Sequence, residues 1–120
     1  MSKILVIDDD QLVVRTICIA LEKHGYTTKV ATDPENAISL ARDHIFDLII
    51  SDIRMPNING VEAVKRMRSI FDQKIRKDVP IIFITGFAEL PLELNAKKYG
   101  EVILKPFDLD RLLVTIREYL

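Results

Sequence analysis

A single cysteine, Cys18, occurs in 120 residues. One thiol cannot close a disulfide within the chain, so the fold does not depend on disulfides, and a reducing, cytoplasmic setting is expected. The formal net charge is only −1, which exerts no global pull toward nucleic acid or an anionic membrane surface. No apolar run approaches the length of a membrane span. Met1-Ser2-Lys3 leads straight into an apolar stretch, so no signal peptide is expected. Internal repeats, low-complexity tracts and interdomain linkers are lacking too. These absences leave a globular chain with neither membrane nor direct nucleic-acid partners.

The hydrophobic fraction, 48%, supports a substantial core, and the length suits one domain over 1–120. Ile4 to Ile7 is an unbroken apolar run, the pattern of a strand buried on both faces. Asp10 is placed to cap a helix that runs to about His24 and stops at Gly25. In that helix Val13, Val14, Ile17, Cys18, Ala20 and Leu21 share one face, while Leu12 and Ile19 fall on the polar side. Thr27–Ala31 reads as a strand. Asp33-Pro34 opens a helix to about Asp43, and Asp47–Ser51 is the next strand. Asn59 caps a helix carrying Val61, Val64 and Met67. Its basic neighbourhood, Lys65, Arg66, Arg68, Lys74, Arg76 and Lys77, reads as a solvated face and loop.

Pro80 precedes a strand over Ile81–Thr85. Gly86 and Pro91 interrupt the segment 86–99, leaving room for a short helix over Leu92–Lys98. Glu101–Leu104 is the last strand. Asp108 caps the last helix, with Leu109, Leu112, Leu113, Ile116 and Leu120 on one face and Val114 on the other. His24 and His44 close their helices and are expected to meet terminal carbonyls. Strand and helix thus alternate about five times, the signature of βαβ units around a parallel sheet.

Ligands of open parallel sheets bind beyond the carboxyl ends of the strands. Asp8 and Asp9 follow the first strand, Asp52 the third, Thr85 ends the fourth and Lys105 follows the fifth. Three carboxylates gathered there repel one another and call for protonation or a cation. With Lys105 they sum to two negative charges, which one Mg²⁺ neutralises. Mg²⁺ prefers oxygen ligands, keeps several waters and pairs well with carboxylates and phosphate oxygens. An aspartate is a competent nucleophile for phosphoryl transfer, and an ammonium and a hydroxyl are suited to the oxygens of the transferred group.

Taken together, Asp8-Asp9 after ILVI, Asp52 in DIRMPNINGVE, Thr85 after PIIFI and Lys105 in LKPF make the chain resemble the receiver domain of two-component response regulators, the family that includes the chemotaxis receiver protein. The resemblance implies an α/β fold: a flavodoxin-like, doubly wound (βα)5 three-layer sandwich whose five-stranded parallel sheet has order 2-1-3-4-5. It implies a signalling domain rather than an enzyme, catalysing only its own phosphorylation and dephosphorylation. Asp52 is the implied phosphoacceptor. Asp9, Asp52 and the backbone carbonyl of Arg54 are implied to hold Mg²⁺ (with Mn²⁺ as a substitute), Asp8 acting through water. Thr85 and Lys105 would contact the phosphoryl group, and the bond before Pro106 would be cis.

The implied donor is a phosphohistidine on a sensor histidine kinase or histidine phosphotransfer protein, docking near Leu12 and Ile19. Arg54 and Phe87 fall at positions that influence phosphoryl lifetime. A homodimer or output domain would meet the 86–120 face. Three residues before Lys105, where the family carries a rotating aromatic ring, this chain has Val102.

Other classes fit the same residues less well. A flavin carrier needs a Gly/Ser/Thr-rich loop after the first strand, where this chain has acids. An aspartate-nucleophile phosphatase could use Asp8-Asp9-Asp10 as D-x-D, but such enzymes need a larger chain with a cap. A phosphorylation-independent interaction module, an atypical receiver, is the alternative that Val102 favours.

Overall fold

Ile4, Leu5, Val6 and Ile7 are each at most 1% exposed. Side chains alternate along a strand, so both faces of this segment must be covered. The computed structural model shows how, describing residues 2–53, 60–72, 79–86, 97, 100–105 and 107–120. Its elements in chain order are β1 (Lys3–Ile7), α1 (Gln11–Lys23), β2 (Thr27–Ala31), α2 (Pro34–Asp43), β3 (Leu48–Asp52), α3 (Gly60–Asp72), β4 (Ile81–Thr85), β5 (Glu101–Leu104) and a last helix, Leu109–Tyr119. The strands form one sheet in the order β2-β1-β3-β4-β5, with every pairing parallel.

Alternation divides the core in two. Leu5, Ile7, Ile49, Ile81 and Phe83 face α2 and α3, meeting Ala37, Ile38, Val61 and Met67. Ile4, Val6, Leu48, Ile50, Ile82 and Ile84 face the other side, meeting Val14, Ile17 and Leu21 of α1 and Leu112, Leu113 and Ile116 of the last helix. Each large aliphatic side chain so buried contributes about 1.5–3 kcal/mol. This three-layer arrangement is the expected doubly wound sandwich.

Local chemistry sets the helix ends. Asp10 accepts from the backbone N–H groups of Leu12 and Val13 at 3.0 and 3.3 Å, and Asp33 accepts from Asn36 N–H at 2.7 Å. Asp108 does the same for Asp110 at 2.9 Å. Gly25 ends α1 with φ of 86°, and a Cβ there would meet nothing within 4 Å. Its requirement is conformational rather than spatial, so Gly25→Ala is expected to destabilise the fold by about 1 kcal/mol, read by chemical denaturation.

Two details differ from expectation. His24 Nδ1 donates to Ala20 O at 2.9 Å as anticipated, but the His44 ring turns instead toward Lys3, whose Nζ lies 3.3 Å from Nδ1. The cause is the docking of β1, whose Lys3 N–H donates to Asp47 Oδ2 at 2.7 Å and brings the lysine stem alongside His44. Leu120, assigned to the apolar face of the last helix, is 43% exposed, because it closes that helix beyond its last buried residue, Ile116. Cys18 is half-buried against the core, and burial is the main influence raising its pKa, with Glu22 adding and Thr28 opposing. The Asn59 cap, the bond before Pro106 and the helix expected over Leu92–Lys98 lie outside the described residues, except that Lys97 is helical.

Candidate functional site

The parallel sheet brings the ends of β1, β3, β4 and β5 to one edge. Asp52 is the last residue of β3, one position further into the strand than its sequence pattern indicates. The β3–β4 pairing continues through it, with Asp52 beside Ile84. Lys105 N–H donates to Thr85 O at 2.7 Å, which ties the residue after β5 to the end of β4. Four chain segments thereby bring three carboxylates and an ammonium together, with Thr85 ending β4 on the same edge.

The polar groups here are unusually deep for charged side chains. Asp8 is 3% exposed, Asp52 8% and Thr85 1%, whereas Asp9 is exposed. Burial on that scale requires compensation. Asp8 has it on both oxygens: Oδ1 accepts from Asp10 N–H at 3.0 Å, and Oδ2 accepts from Lys105 Nζ at 3.0 Å. Lys105 Nζ also lies 3.6 Å from Asp52 Oδ2, so one ammonium stands between two carboxylates. Burial works against the charge on Lys105. The hydrogen bond to Asp8 and the fields of Asp52, Asp8 and Asp10 outweigh it, and its pKa lies above the ordinary lysine value. Lys105 is therefore a fixed positive charge at any physiological pH.

Asp8, Asp9 and Asp52 each present a carboxylate oxygen, all within 4.8 Å of one another. An all-oxygen set of this kind suits a hard divalent cation such as Mg²⁺, and the negative charge that Lys105 leaves uncompensated provides the attraction. Beneath the site, Ser51 is fully buried and donates to Asp52 O at 2.9 Å. This contact has no sequence signal beyond a serine within an apolar run. No buried side-chain nitrogen or oxygen among the described residues lacks a hydrogen-bond partner.

The remaining candidates fall elsewhere. Arg54, Phe87 and Pro106 lie outside the described residues. Leu12 and Ile19 are 73% and 48% exposed on α1, apart from the buried face formed by Val14, Ile17, Ala20 and Leu21. Val102 is partly buried, packs against the core on the α2 and α3 side and pairs in register with Phe83. Val114 is 51% exposed. Of the basic segment, Lys65 pairs with Glu62 at 3.2 Å, and Arg68 Nη2 donates to Val79 O at 2.7 Å, which fastens α3 to the approach to β4. Lys74, Arg76 and Lys77 lie outside the described residues.

An acidic trio and a lysine thus meet at the carboxyl edge of a parallel sheet of order 2-1-3-4-5. The response regulator receiver domain family model matches residues 4–117, and the chain belongs to that family. Receiver domains are the phosphorylation-activated signalling domains of two-component systems. The chain is 34% identical to the response regulator ArlR of Staphylococcus saprophyticus, an alignment that covers 100% of this chain and 53% of ArlR. It is also 34% identical to the regulatory protein AtoC of Escherichia coli, with 99% of this chain and 25% of AtoC covered. The chain thus spans about half, or less, of the length of these curated relatives.

Among solved structures, the chemotaxis protein CheY4 of Vibrio cholerae superposes with a TM-score of 0.87 at 31% identity, covering 100% of this chain and 99% of that one. The response regulator protein TrrA of Thermotoga maritima, solved in complex with Mg²⁺-BeF, has a TM-score of 0.85 at 30% identity, with both chains covered in full (100%). No helix among the described residues is long and apolar enough to cross a membrane.

Proposed function

We propose that the chain, as a single receiver domain over 1–120, accepts a phosphoryl group on Asp52 from a phosphohistidine of a sensor histidine kinase or histidine phosphotransfer protein. The observation that carries this reading is the convergence of oxygens from Asp8, Asp9 and Asp52 within 4.8 Å, beside an ammonium held between Asp8 and Asp52. In the transfer, an Asp52 carboxylate oxygen attacks phosphorus. The P–N bond to the donor imidazole breaks, its electron pair leaves with the imidazole, and an aspartyl phosphate forms. Lys105, held between Asp8 and Asp52, would balance charge on the incoming oxygens, and the Thr85 hydroxyl would donate to them. Asp9, Asp52 and the Arg54 carbonyl would hold Mg²⁺, with Asp8 acting through water. Bound there, Mg²⁺ supplies charge neutralisation to the phosphoryl oxygens, and Mn²⁺ is a chemically suitable substitute. The Mg²⁺-BeF complex of TrrA supports the assignment of metal and phosphoryl chemistry to this fold.

Incubation with acetyl phosphate and Mg²⁺ is expected to add the mass of one phosphoryl group, and EDTA to prevent the gain. A gain of the same size in EDTA would overturn the metal requirement, and no gain under either condition would count against the acceptor reading. Leu12 and Ile19 give the donor protein an apolar docking patch on α1. Ile19→Asp is expected to slow transfer from the cognate histidine protein about tenfold, with acetyl phosphate labelling unchanged. Equal loss with both donors would place the defect in the site instead of the docking face. Arg54 and Phe87 would flank the acyl phosphate and slow its hydrolysis. The signal would leave through the 86–120 face to a second copy or an output domain. With Val102 in place of a ring, that readout proceeds without aromatic rotation.

A further inference from the structure

A cavity of about 460 Å³ lies between α2 and α3, lined by Glu35, Ile38, Arg42, Arg66 and Ser69. None of these residues belongs to the acidic site. Glu35, Ile38 and Arg42 follow one another at i, i+3 and i+7, and Arg66 and Ser69 at i and i+3, so each helix turns a single stripe toward the groove. Ile38 is buried at 8% exposure and forms an apolar floor. Arg42, Arg66 and Ser69 are exposed, and neither guanidinium has a hydrogen-bond or ion-pair partner among the described residues. Glu62, the nearby acid on α3, is held by Lys65 at 3.2 Å.

We infer that this groove binds a small phosphate ester whose far end carries hydrogen-bond donors, the class of nucleoside monophosphates and sugar phosphates. The volume falls within the ordinary range for small-molecule sites. Guanidinium forks match phosphate oxygens in shape and charge, and Ser69 adds a hydroxyl donor. At the opposite end Glu35 offers only acceptors, which suits sugar hydroxyls or an exocyclic amine. The seven residues from Glu35 to Arg42 span about 10 Å of helix, the length of one such molecule, and its apolar face would lie over Ile38. A bare anion would leave Glu35 without a contact, and an uncharged nucleoside would leave both arginines unused.

The test is titration of the chain in EDTA, which keeps phosphate from the acidic site, followed by amide chemical shifts with chloride holding ionic strength constant. AMP is expected to give saturable shifts confined to α2 and α3 with a Kd of about 1 mM or below. Inorganic phosphate is expected to bind more weakly, and adenosine not at all. Arg42→Gln/Arg66→Gln, both on exposed positions, should keep the melting temperature and weaken AMP about tenfold or more. Glu35→Gln should weaken AMP while leaving inorganic phosphate unchanged. Absence of saturable AMP shifts at about 10 mM, or undiminished AMP binding in the double arginine variant, would overturn the site. Equal AMP affinity in Glu35→Gln would overturn the assignment of its far end.

Discussion

Asp52→Asn is expected to eliminate phosphoryl incorporation from acetyl phosphate and Mg²⁺ altogether, while the folded protein becomes slightly more stable when metal is withheld. The first effect follows from chemistry: an amide oxygen is not a nucleophile of useful strength toward phosphorus, and the remaining acids are differently engaged. Both oxygens of Asp8 are occupied, by Asp10 N–H and Lys105 Nζ, and Asp9 is exposed. The second effect follows from charge. Without metal, three carboxylates are opposed by one ammonium, and Asp52 is only 8% exposed. Asparagine preserves the volume and removes one of the repelling, poorly hydrated charges. The Asp8–Lys105 bond survives, so the gain is about 1 kcal/mol.

Adding Mg²⁺ should reverse the order, raising the melting temperature of the parent chain much more than that of the variant. Residual labelling of Asp52→Asn at the parent rate would remove Asp52 from the acceptor role. Loss of stability in EDTA would show that the ion pair with Lys105, at 3.6 Å, outweighs the repulsion.

Much of this arrangement is legible in the residues themselves. Ile4–Ile7 declares itself as a strand covered on both faces because nothing charged interrupts it, and it is found so; Ile81–Thr85, read as a strand, is one, and is buried throughout. The caps Asp10, Asp33 and Asp108 are recognisable because a capping carboxylate acts within three residues of itself, a distance that local sequence contains. Gathering of the acids follows from topology: once the sheet is parallel, residues that end strands must share an edge. Leu12, Ile19 and Val114 are separable from the core by helical angle alone.

The features that local sequence hides depend on contacts between distant segments. The orientation of His44 is decided by Lys3, which precedes it by 41 positions. The bond between Asp8 and Lys105 spans 97 positions. It shows that the lysine pairs with Asp8, a partnership that its place after a strand does not reveal. The cavity between α2 and α3 is likewise a property of two stripes facing each other, and neither stripe is unusual by itself.

Gly100 carries no sequence signal, yet Gly100→Ala is expected to destabilise the fold by about 2–3 kcal/mol. A Cβ at this position would collide with the carbonyl oxygen of Ile81 and lie 2.9 Å from its carbonyl carbon and 3.1 Å from its Cβ. Two of those atoms are backbone and cannot rotate away. Ile81 cannot retreat either, because it is 2% exposed and paired in register with Ile49 of β3. The strain must therefore fall on β5, which begins at the next residue and pairs Glu101 with Ile82. Displacing β5 also carries Lys105 away from Thr85 O and Asp8, so phosphoryl transfer should fall along with stability.

Gly86 supplies the control. A Cβ there would approach Lys105 Cβ and Cδ at 3.6 and 3.7 Å, ordinary contact, and Gly86→Ala should change stability by no more than about 0.5 kcal/mol. The comparison separates lost space from lost backbone freedom, since Gly25 is the residue with positive φ among the described glycines. In urea denaturation the expected order of damage is Gly100→Ala, then Gly25→Ala, then Gly86→Ala. A Gly100→Ala midpoint equal to that of the parent would mean that β4 and β5 can separate at this end without loss, and that Lys105 does not depend on their close approach for its position between the two acids.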